Sequence, residues 1–313
     1  MLNIQSSIRN KHPLIFLFGP TGVGKTALLD TFFKENYSII NADSIQIFRH
    51  LNIGSAKPDA SMLSRIPHYL IDIKDPNESF SVGDFVHLGD KALHEIRSLN
   101  RIPVVSGGTA YYFKHFYYGL PKSPRSSTEV RELIAKRVQE KGLHWAYEEL
   151  AKIDPISAKK IHPSDIYRVT RALEVYESSG KPLSSFALPS TPREHIRPLI
   201  IGLERDKKEL HERIVQRVDM MIRDGLIEEI ESLVALGASL AWPGMQGIGY
   251  REYFMLTENN NFSISTMREL IISNSQKYAK RQMTFFRSLS GVNWVHPDDT
   301  ARLEELLNTY YFE

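Results

Sequence analysis

A parallel β-sheet flanked by helices, interrupted by an all-helical insertion, is the architecture this sequence predicts. Three observations carry it. Short apolar runs alternate with helix-spaced segments through the first third of the chain. A glycine-rich turn, Gly19-Pro20-Thr21-Gly22-Val23-Gly24-Lys25-Thr26, joins the first apolar run to the first helical segment. Strand-like sequence stops near Leu120 and returns only at Arg197–Leu203. Buried strands alternating with helices mark α/β domains.

In chain order, Leu14–Phe18 is an apolar run that reads as a strand, and Ala27–Lys34 has helical spacing. Ser38–Ile40 and Tyr69–Ile73 are further strand candidates. Ser81–Leu99 places Val82, Phe85, Val86, Leu93 and Ile96 on one helical face. Ile102–Val105 is a strand ended by Ser106-Gly107-Gly108. Pro121-Lys-Ser-Pro-Arg-Ser-Ser is turn-rich and reads as a linker. From Thr128, an N-cap candidate with Glu129 and Glu132 in its first turn, to Ser179 the pattern is helical, and Gly180-Lys-Pro stops it. The expected division is a core of 1–121 with 197–313 and a helical insertion of 122–196, with the chain from Lys207 onward mostly helical.

The 313 residues suffice for about two domains. An apolar fraction of 42% and a charged fraction of 24% exclude disorder and collagen-like sequence. The absence of cysteine removes disulfides, thiol catalysis and Cys-ligated metals. No apolar run approaches the roughly 20 residues of a bilayer span, and residues 1–13 lack the apolar core of a secretory leader, so a cytoplasmic enzyme is expected. The net charge of +2 hides local basic stretches, so local charge matters more.

Gly19–Thr26 fits G-x-x-x-x-G-K-[ST] between a strand and a helix. Backbone N–H groups and the helix N-terminus would cradle phosphate, Lys25 would neutralise its charge, and Thr26 would ligate Mg²⁺. This makes the expected fold P-loop NTPase-like. A hydrolytic enzyme of that kind needs a strand-end aspartate for its metal; Tyr69-Leu-Ile-Asp72 is one candidate. Asp43, just after Ser38–Ala42, is a metal ligand, a general base or an ordinary turn aspartate on spacing alone.

Several segments together resemble one family, the tRNA dimethylallyltransferases. They are Gly19–Thr26, Asn41-Ala-Asp43-Ser44-Ile-Gln46, Gly54-Ser-Ala-Lys57-Pro58, Pro67-His-Tyr-Leu-Ile-Asp72, Gly107-Gly-Thr109, Asp165-Ile-Tyr-Arg168 with Arg171–Tyr176, Arg213 with Arg217-Val-Asp219, Gln246–Arg251 and Tyr278–Gln282. The resemblance covers about residues 14–290 and looks like the compact bacterial form. It implies transfer of a dimethylallyl group from its diphosphate to the N6 amine of the adenosine beside the anticodon, with Mg²⁺. By resemblance Asp43 is the base, Thr109 and Arg217 serve the reacting centre, and the glycine-rich loop holds diphosphate. Arg217 has a bland alternative as a surface charge on a helix whose buried period is Ile214, Val218 and Met221.

The resemblance also implies a tRNA surface of Asp43, Ser44, Ile45, Gln46, Lys57, Thr109, Arg131, Tyr167, Arg168, Arg171, Gln246, Gly247, Ile248, Gly249, Tyr250 and Arg251. The residues themselves add a basic helix: Lys277, Lys280, Arg281 and Arg287 fall within an arc of roughly 120°, opposite Tyr278, Ala279, Phe285 and Phe286. Such stripes bind phosphate backbones, although a solvated face has the same pattern. Expected partners are the tRNA anticodon stem-loop and dimethylallyl diphosphate, with no membrane and a monomeric state. Two departures from the family pattern stand out: Ala110 replaces a glycine and Phe48 a tyrosine. The competing readings are a small-molecule or nucleotide kinase, a transferase acting on free adenine nucleotides, and a non-catalytic RNA-binding protein.

Overall fold

The structure is a computed structural model describing residues 12–312. The polar opening, read above as lacking a leader, falls largely outside the described residues. Contacts divide the chain into two compact units, one running to Tyr117 and resuming at Arg193, the other Tyr118–Pro192.

The first unit begins with β1 (Ile15–Phe18), buried at every position. Gly24, at φ 110°, turns the chain into α1 (Lys25–Phe32), which therefore starts two residues before the helical spacing suggests. β2 (Tyr37–Asn41) follows. Asp59 then caps α2 (Ala60–Arg65) by accepting from the Met62 N–H. β3 is only His68–Tyr69, shorter than the expected Tyr69–Ile73, because Leu70 and Asp72 turn away at positive φ. α3 (Val82–Ser98) opens with a Ser81–Asp84 capping box. β4 (Ile102–Gly107) runs into α4 (Ala110–Tyr118). Ala110 sits in a helix and is not among the positive-φ residues, so its extra methyl strains nothing.

The second unit holds α5 (Thr128–Ile153), α6 (Pro155–Ala158) and α7 (Ile166–Ser179). The cap of α5 is Ser127, one residue before the expected Thr128, and Gly142 breaks the helix at φ 85°. Ile134, Val138, Ala146, Leu150, Val169, Ala172 and Leu173 form this unit's own core. Gly180 ends α7 in the left-handed conformation, as its sequence signal indicated.

Back in the first unit, β5 (Leu199–Leu203) precedes α8 (Lys207–Arg223), α9 (Leu226–Ala235), α10 (Arg251–Glu258) and α11 (Ile264–Phe286). β6 (Asn293–Val295) was not legible in the sequence: three residues beside a polar turn carry no period, and pairing with β5 makes them a strand. α12 (Thr300–Phe312) closes the description. Among the described residues the sheet runs β3-β2-β4-β1-β5-β6, with every pairing parallel. Its carboxyl ends therefore share one edge, where ligands of open α/β sheets bind. Phe286 of α11 stacks on Phe18 of β1, ring centroids 4.2 Å apart and nearly parallel. No helix among the described residues is long and apolar enough to cross a membrane.

Candidate active site

Three loops meet where β1, β2 and β4 end, because β4 lies between the other two. The loop after β1 is Gly19–Gly24. Arg213 of α8 donates to the Gly22 carbonyl at 2.9 Å and Arg205 to the Val23 carbonyl at 2.8 Å, so the loop is held from the α8 side. Lys25 donates to the Gly19 and Pro20 carbonyls at 2.9 and 3.0 Å. Burial and the nearby Arg217 lower its pKa to about 8, against the opposing pull of Asp43. Such an ammonium is short of counter-charge and suited to an anion.

The other two loops are stitched together. Thr109 N–H donates to the Ala42 carbonyl at 3.1 Å, and Ser44 N–H to Thr109 Oγ1 at 3.0 Å. A Cβ on Gly107 would stand 2.2 Å from the Ala42 oxygen, so this approach requires glycine. Asp43 lies between them. Its Oδ1 accepts from the Ile45 and Gln46 N–H groups at 2.9 and 3.3 Å, which fixes the carboxylate and leaves Oδ2 for an incoming proton. Arg217 reaches the Ser55 carbonyl at 3.5 Å. Burial lowers its pKa while Asp43 opposes the shift, so it is a site cation and not the free surface charge that spacing allowed. A carboxylate thus lies within electrostatic range of two desolvated cations, beside a glycine-rich loop.

Residues 46–289 match the family model of IPP transferases. The chain belongs to the IPP transferase family. It is 40% identical over 292 residues to a tRNA dimethylallyltransferase of Borrelia turicatae, covering 93% of this chain and 97% of that one. Similarity to the full-length tRNA isopentenylpyrophosphate transferase of Bacillus halodurans is 33% identity at TM-score 0.66, covering 95% of both chains. A eukaryotic dimethylallyltransferase, solved acting on tRNA, matches at 25% identity and TM-score 0.77, over 95% of this chain and 77% of that one.

In this IPP transferase the structure adds site residues that sequence reasoning missed. Gln282 of α11 accepts from Thr21 N–H at 2.9 Å and donates to the Gly108 carbonyl at 2.7 Å. Tyr278, one turn earlier, lies beside Thr109 and Gln282; burial and the nearby Asp43 push its pKa up to about 12, against the pull of those two neighbours. Tyr112 of α4 is raised for the same two reasons, burial first. The i, i+4 spacing of Tyr278 and Gln282 was the available signal, on the helix face that was read only as apolar.

Several expected RNA contacts are placed otherwise. The Lys57 side chain is 4% exposed, and its ammonium has the Phe48 carbonyl, Asn52 Oδ1 and Asp72 as partners. It holds a loop, and the same ion pair engages Asp72 Oδ1, three residues beyond the end of β3. Phe48 is buried, and its ring carries no polar role. Tyr250 is 0% exposed, with its hydroxyl on Glu229 at 2.7 Å, and Gly247 and Gly249 are buried beside it. Of that segment Gln246 is exposed, while Ile248 and Arg251 are partly so. Gln46 gives its amide N–H groups to the Ser55 and Ala56 carbonyls at 3.2 and 3.1 Å, leaving its oxygen for a base edge. Arg171 is tied to Ser126 and to the Pro124 carbonyl, so it braces its own unit's linker. Arg131 and Arg168 are exposed, and Tyr167 is 76% exposed. Lys277, Lys280 and Arg281 are exposed on α11, whose buried face is Ala279, Gln282 and Phe286. Arg287 is exposed and 3.4 Å from Glu204.

For a metal, Thr26 offers one exposed hydroxyl at the first turn of α1. That suits an ion carried largely by phosphate oxygens, as Mg²⁺ is. A cluster of Glu209, His296 and Asp298 has ligand-like spacing. It surrounds the Arg205 guanidinium, which bonds to Glu209 and Asp298 and already supplies the cation.

Proposed function

We propose that the chain is a tRNA dimethylallyltransferase, moving the dimethylallyl group of dimethylallyl diphosphate to N6 of the adenosine beside the anticodon. The observation that carries this reading is Asp43, fixed between the Thr109 loop and the two cations Lys25 and Arg217. The names of the family's relatives point the same way.

An exocyclic adenine amine is a weak nucleophile, since its lone pair is delocalised into the ring. As N6 bonds to the allylic carbon, Asp43 Oδ2 takes an N6 proton, a contribution of about 10²–10⁴-fold. The carbon–oxygen bond breaks and its electron pair leaves on diphosphate. Lys25, Arg217 and the N–H groups of Gly19–Thr26 stabilise that charge. Thr26 would hold Mg²⁺, which neutralises further charge on the leaving group when bound. Lys25 must leave its resting carbonyls to meet the anion.

The adenosine must leave its stack, at a cost of a few kcal/mol. Ser44, Ile45 and the free oxygen of Gln46 flank the proposed base and would receive it. Exposed Lys277, Lys280 and Arg281 on the core, and Arg131, Tyr167 and Arg168 on the helical unit, are the proposed contacts to RNA backbone and bases. The proposed enzyme works as a cytoplasmic monomer.

Incubation with unmodified tRNA and Mg²⁺, with dimethylallyl diphosphate or ATP in parallel, followed by nucleoside mass analysis, tests this. Prenylated adenosine in the first tube alone is expected. ATP consumption without prenylation would favour a kinase.

A further inference from the structure

We infer that Gln282 is a positioning residue of this reaction, holding the diphosphate loop and the Thr109 loop at a fixed spacing through its one side-chain amide. The inference rests on the transferase reading.

The amide is buried, 4% exposed, and has a partner on each loop: Thr21 N–H on Oε1 at 2.9 Å, and the Gly108 carbonyl on Nε2 at 2.7 Å. One loop would bind the leaving group. The other brings Thr109 against Ser44, beside the base. Gln282 is therefore a brace between the two ends of the bond exchange. Its helix is anchored independently by the Phe286–Phe18 stack, so the brace rests on the sheet itself. Tyr278, one turn earlier on the same helix, lies beside both Thr109 and Gln282.

The space is tight. A Cβ built on Gly108 would lie 2.5 Å from Gln282 Nε2 and 4.0 Å from Lys25 Nζ, so amide, ammonium and loop share one small volume. Chemistry restricts the residue further. It must accept on one side and donate on the other, which a glutamine amide does at neutral pH with two separate atoms. A glutamate keeps the volume and the bond to Thr21 but sets a carboxylate against the Gly108 carbonyl. Displacement rates depend steeply on alignment, and an error near 1 Å costs on the order of 10²-fold.

The experiment compares wild type, Gln282→Ala, Gln282→Glu, Gly108→Ala and the Gln282→Ala/Gly108→Ala double variant. Steady-state kinetics with dimethylallyl diphosphate and tRNA are measured with tRNA binding and thermal melting. Expected is a fall in kcat of about 10–100-fold for each single variant, a raised KM for the diphosphate, and unchanged tRNA affinity. Gln282→Glu should not rescue, although it is isosteric. The double variant should be no worse than Gln282→Ala, since removing the amide removes the clash at residue 108. Wild-type kcat and KM in Gln282→Glu, or a loss in Gln282→Ala wholly accounted for by unfolding, overturns the inference alone. A wild type that prenylates no adenosine overturns the transferase reading and this one with it.

Discussion

Asp43 shows how much one side chain depends on its neighbours' backbone. Two N–H groups fix one of its oxygens, and the proposed mechanism uses the other. Asp43→Ala should abolish prenyl transfer while tRNA affinity stays near wild type; near-normal turnover would remove it as base. Lys25 makes a pH prediction with two opposite signs. Its folded pKa, about 8, lies below the ordinary 10.5, so the folded state binds fewer protons between those values. The destabilisation from burying the charge is fully present below pH 8 and is relieved as pH rises toward 10.5. Anion affinity runs the other way, since only the ammonium attracts diphosphate. Inhibition by inorganic diphosphate should therefore weaken above pH 8 as this group's stability cost fades, and Lys25→Met should flatten both trends. That Asp43, Thr109 and the glycine-rich loop would come together was legible in the sequence because each follows a strand end. Lys57 and Tyr250 were misread for the converse reason: their partners are distant or brought in by folding, and a basic or aromatic letter alone does not say which side of the surface it occupies.

At the scale of elements, α11 does two things at once. Its buried face reaches the loops after β1 and β4 through Gln282, and its exposed face carries Lys277, Lys280 and Arg281. Helical spacing in the sequence gave the charged stripe correctly but assigned the opposite face to packing alone. Lys280→Ala with Arg281→Ala should weaken tRNA binding and reduce the slope of log affinity against log salt by about one to two; an unchanged slope would mean this stripe does not meet phosphate. Tyr167 on α7 is too exposed to be packing, and Tyr167→Ala should weaken tRNA binding with melting unchanged. β3 and β6 mark the limit of pattern reading. One apolar run was cut short by positive-φ turns at Leu70 and Asp72, and one short edge strand had no pattern to read.

For the molecule as a whole, the sheet order places the glycine-rich loop after β1 centrally and lets distant segments brace it. Asp298, after β6, pairs with Arg205, which holds the Val23 carbonyl. α12 packs Leu303, Leu306, Leu307 and Tyr311 into the core around β1 and β2, and Tyr311 shares a hydrogen bond with Tyr37. Leu303→Ala, at a site 0% exposed, should destabilise the protein by about 2–5 kcal/mol while kcat per folded molecule is unchanged, as read by melting and by activity at saturating substrate. The parallel α/β class and a helical segment between two returns to the sheet were legible because linker composition and helix stops are local signals. The bracing was not, because it depends on which distant segments the sheet brings together.

The central position of β1 also sets a timetable. Ile15 pairs with Val104 on one side and Leu199 on the other, so the strand leaves the ribosome long before either neighbour exists. The whole second unit is synthesised between β4 and β5 and has its own core to condense upon. The nascent first strand meanwhile has β4 on one edge and nothing on the other, a window in which a chaperone can hold it and a ribosome stall would leave that edge prone to aggregate.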